Sequence, residues 1–358
     1  MRGLALVWMG LGAAALLEGC TGTPASKGFA GRSSGLSDRG GAGGGVAGGS
    51  GGAGGIATGG AGAGGFVPAA PRPSAGCNKP AVQALGQYVR REVTVAGAPA
   101  DATTRIYYLR LPAGYDPARP YRTVYLGPGC GEPQDDTPQN WKSYPMETVS
   151  GEQGIFVAME PSRRNTATYG AVPTHYCFED MAADSVEYSY FGALHQAVED
   201  IACVDRERQF FAGYSSGGWM AHQLGCAFPD VLRAQGSVTG GLPPSIRDRL
   251  KTCVAHPVAA FLIHDFNDVS NLYQGSVAAA ERLFAVNGCT GTFTAPNLAQ
   301  GKTPYTITGR PNTGTFSCVS YSGCPAAYPI VFCTSQDQMH GSQEASAVPG
   351  FWEFFSRF

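Results

Sequence analysis

The chain is poor in charge and nearly balanced in it. Lysine and arginine number 25, aspartate and glutamate 27, and the net charge is −2 over 358 residues. That leaves no basic surplus of the kind that grips nucleic acid. No CxxC pair occurs, and no histidines flank the cysteines at zinc-ligand spacing, so the small zinc modules are excluded. No apolar run of membrane-spanning length follows the first twenty residues, which argues against an integral membrane domain. From Thr21 to Ala75 large apolar side chains are almost missing. Glycine, alanine and serine fill the stretch, most densely between Gly40 and Gly65. Such a segment buries too little apolar area to offset the entropy of ordering it.

What is present divides the chain in three. Arg2, an apolar stretch from Leu4 to Leu17 and then Glu18-Gly19-Cys20 read as an export signal over residues 1–20. A cysteine directly after a small residue, with Leu17 upstream, resembles a bacterial lipoprotein processing site, although Glu18 is unusual there. The expectation is a lipid anchor at Cys20, with ordinary cleavage or no cleavage as the alternative. Residues 21–75 then form a flexible linker with a typical reach of about 40 Å. Residues 76–358 form one folded domain. Ten cysteines remain after Cys20: Cys77, Cys130, Cys177, Cys203, Cys226, Cys253, Cys289, Cys318, Cys324 and Cys333. In an exported chain that even number predicts up to five disulfides, with the pairing left open.

Chemistry enters at Gly213-Tyr214-Ser215-Ser216-Gly217-Gly218. The run Gln209–Ala212 before it is apolar and strand-like, and Trp219–Leu224 after it is helix-like. Glycine-x-serine-x-glycine between a strand and a helix is a nucleophile elbow. The turn is so tight that the residues two before and two after the serine must lack side chains. Gly213 and Gly217 frame Ser215 in this way. Ser216 would need glycine at position 214, which is tyrosine.

Alternating and apolar runs predict strands at 88–95, 105–111, 122–126, 154–158, 209–213, 234–238, 259–264 and 330–333. Helices are predicted at 187–203, 216–227, 274–287 and 351–358. The first two strands look like a hairpin. After them strands and helices alternate, which predicts a mostly parallel central sheet with helices on both faces. The α/β-hydrolase fold, stabilised here by disulfides, is the natural candidate, because it sets an elbow serine at the top of such a sheet.

A serine nucleophile needs a histidine to take its proton and a carboxylate to orient that histidine. In this fold the chain order is serine, acid, histidine. His175 and His195 precede Ser215. His222 lies on the elbow helix, about 10 Å along its axis. His256 sits at the wrong end of a strand, and His264 comes too early to follow a separate acid loop. His340 remains, in Asp337-Gln338-Met339-His340-Gly341. For the acid, the loop after the strand at 259–264 offers Asp268 first and Asp265 as runner-up. An oxyanion also needs two backbone donors. One is expected from the amide of Ser216. The second is expected from Leu126-Gly127-Pro128-Gly129-Cys130-Gly131. Pro128 has no N–H, so Gly129, Cys130 or Gly131 must serve, with Cys130 preferred.

Several segments together resemble one family. They are Arg105–Pro112 with Tyr115-Asp116, Cys203-Val204-Asp205, the Gly213–Trp219 elbow, the loop from His264 to Asp268, and Cys318-x-Ser320-Tyr321-x-Gly323-Cys324. Over residues 77–358 the chain resembles the secreted feruloyl esterases and the related polyhydroxybutyrate depolymerase-like esterases. The resemblance implies a triad of Ser215, Asp268 and His340, extracellular action, disulfides and no cofactor. Two positions depart from the family pattern. Gly127-Pro128 stands where histidine-glycine is usual, and Asp265 stands where the acid loop usually has glycine.

The expectation is therefore a secreted, monomeric serine esterase. Its implied substrate is a hydroxycinnamoyl ester on plant cell-wall xylan. A polyester such as polyhydroxybutyrate, or acetylated xylan, is the alternative substrate. A non-catalytic tethered binding protein that retains the fold is the alternative of another class. Trp219 and Tyr214 flank the serine and either meet an acyl group or pack in the core.

Overall fold

Phe210 and Phe211 are neighbours in the chain, yet they are buried in separate hydrophobic clusters on opposite faces of one sheet. That period-two alternation organises the whole domain. The computed structural model describes residues 66–130, 145–161, 177–178, 186–242, 256–296, 317–336, 338–341 and 343–358. All of these lie in the compact unit Ala61–Phe358. The strands are β1 (Tyr88–Thr94), β2 (Thr104–Arg110), β3 (Tyr121–Gly127), β4 (Gly154–Met159), β5 (Val204–Tyr214), β6 (Ala234–Val238), β7 (Ala259–Asp265), β8 (Ser317–Ser320) and β9 (Ile330–Ser335). They form one sheet in the order β1-β2-β4-β3-β5-β6-β7-β9-β8. β1 pairs antiparallel with β2, β2 with β4, and β8 with β9; the six strands between β2 and β8 run parallel. This is the α/β-hydrolase arrangement, with β5 near its centre.

Among the described residues five helices cover the sheet: α1 (Met146–Val149), α2 (Val186–Ile201), α3 (Ser216–Ala227), α4 (Tyr273–Val286) and α5 (Glu344–Phe355). One face takes α1 and α5, where Val348, Phe351 and Phe355 meet Phe210, Val238 and Phe261. The other takes α2, α3 and α4, with Phe191, Met220 and Leu283 among the buried side chains. Parallel strands covered on both faces must be apolar along their length, and β4, β6, β7 and β9 are buried at every residue.

Four elements differ from the sequence expectation. α1 is a single turn where no helix was expected. β8 has only four residues, two of them serine, and follows no clear apolar pattern; it is tied to β9 by the Cys318–Cys333 disulfide, directly across the ladder. β5 begins at Val204 rather than Gln209, through a polar stretch, with a register shift against β3. Helix α5 begins at Glu344, before Pro349-Gly350, which reads as a break in sequence. Proline costs that helix one internal hydrogen bond, and burial of Ala347, Val348, Phe351 and Phe354 offsets the loss.

Three further disulfides join described residues: Cys77–Cys203, Cys130–Cys177 and Cys289–Cys324. Cys226 is disulfide-bonded as well, and Cys253 lies outside the described residues. Cys77–Cys203 spans 126 residues, a closure worth about 4–5 kcal/mol in the chain-entropy account. Residues 66–75, read from sequence as the end of the linker, lie against the domain. Ser74 is buried and bonds the backbone of Ala202 and Val204, and Pro73 bridges Asp205. The Arg233 guanidinium lies 4.8, 5.2 and 4.2 Å from the rings of Phe66, Tyr328 and Phe358, a cation–π cluster at the amino edge of the parallel strands.

Phe355 is fully buried and stacks on Phe210 with ring centroids 4.7 Å apart. Phe355→Ala is expected to cost about 3–5 kcal/mol, measurable by denaturant unfolding with the disulfides intact.

Candidate active site

Ser215 sits where β5 turns into α3, at φ 53° and ψ −114°. A positive φ on a residue with a Cβ is strained, and close backbone contact holds it there. A Cβ on Gly213 would strike the carbonyl of Gly217, and a Cβ on Gly217 would strike that of Gly127. The Gly217 amide donates to Pro128 O at 3.0 Å and the Ser215 amide to Val238 O at 2.9 Å. The elbow is thus pinned to the loop after β3 and to the last residue of β6. The sequence argument for Gly213 and Gly217 has its steric cause here. Gly218 meets the same limit, since its Cβ would lie 2.7 Å from Gly240 Cα.

Loops at the carboxyl ends of β5, β7 and β9 bring three side chains together. Ser215 Oγ lies 2.9 Å from His340 Nε2, and His340 Nδ1 lies 2.8 Å from Asp268 Oδ2. A carboxylate accepts only, so Nδ1 carries the proton and Nε2 is left to accept from the serine hydroxyl. Asp268 Oδ1 accepts from the amides of Ser270 and Asn271 at 2.8 and 3.0 Å. Burial on its own raises the Asp268 pKa. Hydrogen bonds from His264 and His340, then the Asn271 amide, outweigh it and hold the carboxyl well below the usual range.

His264, set aside in the sequence reading, is the other donor. It is fully buried, with Nε2 3.1 Å from Asp268 Oδ2 and 2.7 Å from Asn271 O, and Nδ1 2.6 Å from Ser276 Oγ. Both neighbours of Nε2 are acceptors, so Nε2 carries the proton. Asp268 Oδ2 therefore takes a hydrogen bond from each of two histidines. The i, i+4 spacing of His264 and Asp268 at a strand end was the available signal; the turn that brings Asp268 back to the His264 ring was not visible in it.

The other candidates are placed as follows. Asp265 makes no contact with the His340 ring. Its carboxylate instead accepts from Ser335 Oγ at 2.6 Å, Gln338 N at 2.8 Å and Asn267 N at 2.8 Å. His222 is buried against Gln235 at 3.1 Å, and burial, then the Arg282 and His264 charges, push its pKa down to about 3. His256 is exposed, His195 lies beside Glu199 at 3.7 Å, and His175 is outside the described residues. Trp219 is buried among Leu242, Tyr273 and Phe332, with Nε1 donating to Gly240 O at 3.1 Å, so it belongs to the core. Tyr214 donates its hydroxyl to His340 O at 2.7 Å. Of the expected oxyanion donors, Ser216 opens α3, where first-turn amides have no intrahelical acceptor. Gly129 lies close enough that a Cβ would come 3.3 Å from Ser215 Cβ. Cys130 follows it and is disulfide-bonded to Cys177, and Gly131 is outside the described residues. Among the described residues no group of three or more His, Cys, Asp or Glu side chains is arranged to hold a metal ion.

A hydroxyl hydrogen-bonded to an imidazole, which is itself oriented by a buried carboxylate, can add to an ester carbonyl. No family model matches the chain. It is 27% identical over 303 residues to feruloyl esterase C of Emericella nidulans, covering 81% of this chain and 93% of that protein. It is 26% identical over 306 residues to feruloyl esterase D of Neurospora crassa, covering 81% and 92%. The chain is thus similar to feruloyl esterases over most of its length. It is a serine carboxylic ester hydrolase with the α/β-hydrolase fold. Among solved structures, the feruloyl esterase module from Clostridium thermocellum aligns at 15% identity and TM-score 0.48, over 82% of this chain and 95% of the module.

The Asp268 carboxyl titrates lower in the folded protein than in the unfolded chain, so its ionised form stabilises the fold. That contribution is complete above the unfolded pKa and is lost as pH falls through the folded one. Wild type is expected to exceed Asp268→Asn by roughly 2 kcal/mol near neutral pH. The gap should close as pH falls below the ordinary aspartate value of 3.8. Denaturant titrations of both proteins across that range check it.

Proposed function

We propose that this protein is a feruloyl esterase whose catalytic triad is Ser215, His340 and Asp268. The observation that carries the reading is the unbroken hydrogen-bond relay from Ser215 Oγ through His340 to Asp268 Oδ2, built on a strained elbow. Similarity to feruloyl esterases along 81% of the chain supports the choice of acyl group.

In this reading Ser215 Oγ attacks the ester carbonyl while His340 Nε2 takes its proton. The tetrahedral oxyanion is received by the amides of Ser216 and Cys130, each such donor being worth about 10²–10³ in rate. The imidazolium is steadied by Asp268, which stays ionised because two histidines and two amides donate to it. His340 then returns the proton to the departing sugar hydroxyl, leaving a feruloyl ester on Ser215. Water, activated by the same nitrogen, releases the acid. Export through residues 1–20, an anchor at Cys20 and action as a monomer on plant cell-wall xylan complete the proposal. A polyester or an acetylated xylan is the competing substrate.

Ser215→Ala is expected to lower kcat on methyl ferulate by at least ~10⁴ and to abolish labelling by a serine-reactive phosphonate. A folded wild-type protein that is not labelled would point to a binding protein. Release of hydroxybutyrate from its polymer with none of ferulate from methyl ferulate would overturn the feruloyl assignment. Cys20→Ser should shift the protein from the membrane fraction to the soluble fraction; an unchanged distribution removes the anchor.

A further inference from the structure

Asp265 stands where the family pattern has glycine, is completely buried, and does not touch the imidazole. A buried carboxylate is costly unless its oxygens are well supplied with donors. Here it has three, and they come from three places. Asn267 N–H belongs to its own loop. Ser335 Oγ–H lies directly across the β7–β9 ladder. Gln338 N–H lies two residues before His340.

The segment it reaches is strained. Gln338 to Gly341 is a tight turn closed by Gly341 N–H donating to Gln338 O at 2.9 Å, and Met339 within it has φ 50°. Such a conformation on a non-glycine residue costs about 1–2 kcal/mol and persists only where the surroundings over-determine it. Three tethers do so here. Asn267 Nδ2 donates to Gln336 O at 2.6 Å, Tyr214 Oη to His340 O at 2.7 Å, and Gln338 N to Asp265 Oδ2. The third fixes the first residue of the turn, and it is the one that uses a charge.

We infer that Asp265 is a positioning residue: it clamps the strained turn after β9 so that the His340 ring reaches Ser215 and Asp268 at once. The inference rests on the reading of His340 as the base. Two acceptor oxygens serving three donors call for a carboxylate. Asparagine keeps one acceptor oxygen and adds a donor that opposes an N–H; glycine keeps none. Loops β7 and β9 are thereby joined twice, by Asp265 to the backbone ahead of His340 and by Asp268 to its ring.

The test measures kcat and KM on methyl ferulate, and the rate of phosphonate labelling at Ser215, for Asp265→Gly, Asp265→Leu and Asp265→Asn, with His340→Ala alongside. Misplacing a general base by an ångström costs about a hundredfold. Asp265→Gly and Asp265→Leu should therefore lose about ten- to a hundredfold in kcat, with KM within about twofold and labelling slowed in step. Asp265→Asn should fall between them and wild type. A purely structural role would lower Tm and leave kcat alone. A folded Asp265→Gly or Asp265→Leu protein with kcat within about twofold of wild type overturns the inference. If neither folds, Asp265→Asn decides: kcat down about fivefold or more at unchanged KM supports it, and kcat within about twofold overturns it. Full activity in His340→Ala would instead overturn the reading of the base itself.

Discussion

Backbone meets backbone at the top of β5, and the rest of the site is arranged around that contact. Gly213, Gly217 and Gly127 approach so closely that no Cβ fits between them. The approach forces Ser215 to φ 53° and lifts its side chain away from the sheet. It also seats the loop after β3 on the first turn of α3, through Gly217 N–H donating to Pro128 O. Nucleophile, first-turn amides and the neighbouring loop are therefore set by a single steric fact. The histidine and the acid then need only reach a fixed point.

Around that point the carboxyl edge is unusually rich in buried polar contacts. His264, Asp265 and Asp268 are buried within five residues of one another, and all three bond outward to other segments. In a low-dielectric setting each bond is stronger than in water, and each missing partner would be costly. The order of the loops is thus a property of the network rather than of any one pair. Tyr214 extends it to the elbow by holding the His340 carbonyl.

Local patterns in the sequence carried most of this. The elbow, the parallel strands and the long helices are written as short periodic runs, and chain order together with position at the strand ends selected His340, and Asp268 ahead of Asp265, as the side chains to examine. The structure brings His340 against Ser215 and Asp268 against His340. What stayed hidden depends on distant neighbours. Asp265 looked like a spare acid, because its partners Ser335 and Gln338 lie 70 and 73 residues away. His264 looked like a strand residue, because only the folded loop returns Asp268 to its ring. β8 owes its place to a disulfide across the ladder, and α5 runs through Pro349-Gly350 because burial outweighs a lost backbone bond. For Trp219 the sequence left a substrate contact and core packing both open, and the core holds it.

The first described residues, from Phe66 to Ser74, lie along the amino edge of the sheet, and Cys77 is bonded to Cys203 at the foot of β5. A pull on the chain from upstream would therefore pass through a covalent link into the root of the central strand. It would not have to peel the β1–β2 hairpin away first. The load would enter at the end of β5 opposite Ser215.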